Sequence, residues 1–156
     1  MAQKSFSAQV SEWVKETKER QIAVRNEAAQ RVIAIMQTPV GQGGNLPFDT
    51  GFLRASLMAV IGNANFELKA NPESGAAVPY DAGQISLIIA KAKLSDTVEA
   101  VYTAKYARRM EYGFSGKDSL GRTYNQTGRR FVALAAQQWP RIVSEVATEA
   151  KARAKP

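Results

Sequence analysis

The chain has 156 residues and a formal net charge of +7; 45% hydrophobic and 22% charged residues are the balance of a single globular domain, 1–156, long enough to bury a core. It contains neither histidine nor cysteine, which excludes Ser-His and Cys-His nucleophile systems, the commonest metal sites and any disulfide. No apolar run reaches the roughly 20 residues of a membrane helix, and the polar start MAQKSFSAQVSEWVKETKER lacks the apolar centre of a secretion signal, so a cytoplasm is the expected place of synthesis.

From Ser5 to Gln37 there is no glycine or proline, and good helix formers dominate. A helix over about 5–37 is predicted, about 45 Å long. Its apolar stripe falls into two patches, Phe6, Val10, Trp13 and Val14, then Val24, Ala28, Val32 and Ile35. Either the outer patch meets a neighbouring molecule or a bend folds both patches onto one core. Glu12, Glu16 and Glu19 beside Lys15, Lys18 and Arg20 read as a solvated face.

Thr38-Pro39 and GQGGN at 41–45 end that helix and read as a flexible connector. The stretch LPFDTGFLRASL at 46–57 reads as a corner. Asp49 is expected to cap a short helical turn by accepting from the N–H of Gly51 or Phe52, with Phe48 and Leu53 at the spacing of a hydrophobic staple and Thr50 between. That structural role is favoured over a catalytic carboxylate. Ser56–Ile61 reads as a strand, 62–83 as a turn-rich segment offering a short extra strand at Phe66–Ala70, and Ile85–Ala92 with Thr97–Thr103 as an antiparallel hairpin. The rest reads as a short helix at 105–112, a polar loop at 113–128 and a closing helix at 129–153, kinked at Pro140. The expected class is α+β, with an antiparallel sheet of three or four strands in the region 56–103 between long terminal helices.

Chemistry-bearing motifs are sparse. GFSGKD has Asp118 where a phosphate loop needs Ser or Thr, and GQGGN runs into Leu-Pro, not a helix. No acidic spacing suggests a carboxylate-only metal site, so no cofactor or metal is expected. Charge is more informative: from Lys105 to Arg130 there are seven basic residues against Glu111 and Asp118, a surplus of five. Within that block Lys105, Arg108, Arg109, Arg122, Arg129 and Arg130 form a candidate basic face for an anionic partner, nucleic acid or an acidic protein surface. Arg129 and Arg130 also stand at a helix start, where the dipole favours anions, a local cost without local gain.

The order of parts resembles the neck or tail-completion proteins of tailed bacteriophages, the minor tail or head-to-tail joining proteins. The residues that carry the likeness are Pro47, Asp49, Thr50, Gly51, Leu53 and Arg54 in the corner, then Tyr106, Ala107, Glu111, Tyr112 and Gly113. Phe131 matches the family's last motif, but the prolines that usually flank it are absent from GRRFVALAAQQ. The resemblance implies a structural virion protein without enzymatic activity or cofactor, forming a homo-oligomeric, sixfold ring between head connector and tail, with DNA passing through its channel. A small basic nucleic-acid-binding protein is the alternative, although no recognised DNA- or RNA-binding motif appears.

Overall fold

The computed structural model describes residues 4–63, 65–73 and 75–154. Helix α1 runs unbroken from Phe6 to Met36, capped by Ser5, whose side chain accepts from the Ala8 N–H. Its outer patch does not fold onto the core and is left uncovered, with Phe6 at 82% and Trp13 at 66% exposure. Its second half is the spine of the molecule. Ala28, Ile33 and Met36 are buried there, and α6 (Trp139–Arg153), α5 (Phe131–Ala136) and α3 (Ala82–Lys91) pack along it.

The connector after α1 is a closed loop. The Val40 N–H donates to the Leu46 carbonyl and the Leu46 N–H to the Thr38 carbonyl, and the Leu46 side chain is fully buried. A short helix α2 (Phe52–Ala55) leads into strand β1 (Leu57–Ile61), where Leu57 and Ala59 face inward and Met58 outward, the period-two pattern of a half-buried strand. Strand β1 pairs antiparallel with β2 (Val98–Tyr102), Leu57 opposite Tyr102 and Ile61 opposite Val98.

Between them, residues 85–92 are not a strand. They belong to α3, whose N-terminus is capped by Asp81 accepting from the Gly83 and Gln84 N–H groups. Its C-terminus is held by Arg25 of α1, which donates to the carbonyls of Ala92 (2.9 Å) and Lys93 (2.7 Å). A cation on the last carbonyls satisfies orphan acceptors and complements the helix dipole. The expected hairpin across residues 93–96 is therefore absent, and the extra strand at 66–70 reduces to one parallel bridge, Lys69 to Ala104.

The second half departs from expectation in the same way. Helix α4 (Ala107–Tyr112) is followed not by a loop but by a second antiparallel pair, β3 (Gly113–Lys117) with β4 (Thr123–Thr127). Among the described residues the strands number four, in two separate two-stranded sheets and not in one sheet of three or four. The closing helix breaks at Gln137–Gln138 into α5 and α6, with Pro140 in the first turn of α6, where its missing N–H costs nothing. Among the described residues the core has three buried clusters: Ile33, Met36, Leu57, Ala59, Ile85, Ile89 and Ala135; Leu46, Phe52, Leu53, Ala104, Ala107 and Phe131; and Ala28, Ile142 and Val146. The fold is mixed α+β.

Candidate functional site

The corner turns differently from expectation. Gly51, at φ 85°, occupies the N-cap position of α2 and has no side chain with which to cap it. This left-handed conformation suits glycine, and the Thr50 hydroxyl lies 3.4 Å from the Phe52 N–H. Asp49 is exposed and is not the cap, because the chain reverses two residues later than a cap at 49 requires. Nor is there a staple: Leu53 is buried at 4% exposure while Phe48 stands at 56%. Phe48 leans over Gly51, where a Cβ would lie 3.3 Å from its ring. Arg54 lies over the Tyr80 ring at 5.0 Å, and its buried Nε has no partner.

The corner forms one wall of a cleft of about 330 Å³ whose other wall includes Asn71, Tyr106 and Met110. The Phe52 and Tyr106 rings are 6.2 Å apart, and burial pushes the Tyr106 hydroxyl above its ordinary pKa. Behind the cleft, Thr103 is fully buried and donates to the Ser56 carbonyl, while Ser56 donates to the Leu53 carbonyl, tying β2 to the end of α2. Tyr102 packs edge-on against Phe131 at 5.1 Å, and its hydroxyl donates to the Met36 carbonyl at 3.2 Å.

The residue that organises the basic region is Glu111. It is buried at 6% exposure, and its carboxylate accepts from the N–H groups of Val132 and Ala133, both at 2.9 Å. A carboxylate from α4 thus caps α5, placing an anion where the dipole favours one and offsetting the arginines beside it. The Arg129 N–H donates to the Met110 carbonyl and the Arg130 N–H to the Glu111 carbonyl, so Arg129 and Arg130 lie alongside the end of α4. Arg130 is the one non-glycine residue with positive φ, 52°, among the described residues. Gly113 and Gly128 face each other at the base of the β3–β4 hairpin; a Cβ on Gly113 would run into the backbone of Gln126 and Gly128, and one on Gly128 into the backbone of Glu111 and Tyr112 at the end of α4.

Arg108, Arg109, Arg129 and Arg130 therefore gather at the α4–α5 junction. All four are exposed and, with Lys105, make no ion pair among the described residues. Arg109 lies 4.3 Å above the Phe114 ring, which meets Tyr124 at a tilt with 6.1 Å between centroids, so cation and rings lie along one face of the hairpin. Lys105 stands apart beside Lys69, through the bond from its N–H to the Lys69 carbonyl. Arg122 is at the hairpin tip, about 13 Å along the strands, and pairs with Asp118 at 2.6 Å. Asp118 also accepts from the Leu120 and Arg122 N–H groups. Its burial works upward, but these hydrogen bonds prevail and hold it below the usual carboxylate range. GFSGKD is thus a strand and its turn, not a phosphate loop.

Among the described residues no group of three or more acidic side chains is placed to hold a metal, and no helix is long and apolar enough to cross a membrane. The chain matches no protein-family model, no curated protein and no solved structure.

Proposed function

We propose that the chain is a structural virion protein, a ring-forming subunit of the neck of a tailed bacteriophage that joins the head connector to the tail. One observation carries this reading. The two segments that bear the resemblance, Pro47–Arg54 and Tyr106–Gly113, are far apart in sequence but close on opposite walls of one cleft, through Gly51, Phe52, Tyr106 and Met110. They line one cleft, and each has a structural job here: Gly51 turns the corner, Glu111 caps α5 and Gly113 permits the hairpin's approach. In this reading Phe48, Asp49 and the junction arginines face other virion components, and repetition around a ring adds their fields into a basic channel for DNA.

The test is charge reversal at Arg108 and Arg109 together. Both are exposed, so the Glu double variant is expected to stay folded, with any loss of stability confined to the Arg109 contact on Phe114, while heads and tails fail to join or filled heads leak DNA. Fully infectious particles would reduce these arginines to solvated surface. The second reading, a stand-alone nucleic-acid-binding protein, draws on the same arginines and on the neighbouring rings of Phe114 and Tyr124. It requires the isolated chain to bind random duplex DNA with a steep salt dependence.

A further inference from the structure

The free half of α1 carries Phe6, Val10, Trp13 and Val14 at 82%, 43%, 66% and 37% exposure. The spacing i, i+4, i+7, i+8 puts them in one convex stripe. Further along the helix, Val24 lines a groove of about 670 Å³ whose opposite wall is Trp139, Val143, Ala147 and Ala150 of α6. The chain cannot fill this groove with its own stripe, because α1 is continuous from Phe6 to Met36 and its start cannot fold back onto its middle. We infer that the stripe of one copy docks into the groove of a second copy, head to tail. The inference deepens the ring reading above and rests on it for the closure of the assembly.

Three observations favour a second copy as the occupant. The chain presents both halves of the contact, an amphipathic helix with anchors one and two turns apart and an apolar groove to receive them. Charge agrees: Ser5–Glu19 holds three glutamates against two lysines, net −1 in a chain of +7, and the groove is rimmed by Arg20, Arg25 and Lys151. Exposed ion pairs along α1, such as Lys15 with Glu19 at 3.9 Å, are weak enough to exchange for contacts across the interface. Area agrees as well. The stripe offers roughly 400 Å², and with an equal area of groove one contact buries roughly 800 Å², below the range of stable pairs. One contact is thus weak, but each subunit of a closed ring makes two, and closure makes the second intramolecular.

The absence of cysteine gives a clean test. Val10→Cys and Ala147→Cys are placed in separate molecules, mixed and oxidised mildly. A disulfide-linked dimer is expected in the mixture and not with either variant alone, and a chain carrying both changes is expected to give a ladder of higher species. Trp13→Ala should weaken self-association in sedimentation at least about tenfold. Cross-linking of Val10→Cys with itself would mean stripe against stripe and overturn the inference. So would a mixture that stays unlinked although the wild-type protein assembles, an outcome that leaves the ring reading standing. Linked chains that grow open and never close would support the contact and sink the ring. A wild-type chain that remains monomeric at every concentration, unlinked in the mixture and binding an apolar dye in the groove, would overturn both.

Discussion

Two carboxylates divide the roles that the sequence suggests for one. Glu111 is buried and supplies two hydrogen bonds to backbone N–H groups that would otherwise be orphaned, whereas Asp49 is exposed and caps nothing. Glu111→Ala is expected to lower the unfolding free energy by about 1–3 kcal/mol in urea titration, Glu111→Gln by less because one acceptor remains. Asp49→Ala should stay within about 0.5 kcal/mol of the parent. A large loss at Asp49 would mean that the corner is held by contacts other than Gly51 and the buried Leu53. Tyr102 gives a prediction in pH. Burial pushes its hydroxyl well above the ordinary value, so the unfolded chain releases that proton near pH 10 while the folded chain keeps it. The folded state then binds more protons, and stability must fall as pH rises above about 10. Tyr102→Phe should flatten that alkaline loss; an unchanged slope would assign it to other groups.

At the scale of elements, the β3–β4 hairpin stands out. Its ten strand residues are exposed or half-buried, and a lone two-stranded ribbon is marginal in water. It persists through the Asp118 tip, the Arg109–Phe114–Tyr124 contacts and the Gly113–Gly128 approach at its base. Amides of residues 114–126 are therefore expected to exchange hydrogen much faster than those of β1 in the free protein, and to slow on assembly. Equal exchange in both states would deny the hairpin an assembly role. This element was illegible as a strand pair because its residues are polar and rich in glycine, and no apolar alternation marks a face that packs on nothing. Helix α3 was misread for the opposite reason. ISLIIA is apolar and β-branched, a run that periodicity cannot assign, and the signal that decides it is Asp81 ahead of the run. By contrast α1, α4 and the break before Pro140 were legible, since missing glycine and proline, or their presence, act locally. The capping role of Glu111 was not, because it depends on α4 meeting α5, which no local pattern records.

At the scale of the whole molecule, the basic block divides into a tight group at the α4–α5 junction, a separate Lys69–Lys105 pair and a neutralised tip at Arg122. Exposed apolar surface includes the stripe on α1 and the groove beside α6. The junction arginines and the apolar stripe of α1 thus sit on different elements, which lets one surface meet an anionic partner while the other meets protein. The separation also makes α1 a lever. Its fulcrum is the buried contact of Ala28 with Ile142 and Val146, steadied by the paired bonds from Arg31 to Glu149 at 3.1 and 2.7 Å and by Arg25 on the end of α3. Phe6 lies about 33 Å from that fulcrum, so a tilt of about 5° swings it about 3 Å. A side chain exchanged beneath Ala28 would therefore carry, besides its cost to the core itself, a displacement that grows with distance and is greatest at the far tip, where it would misalign a docking residue.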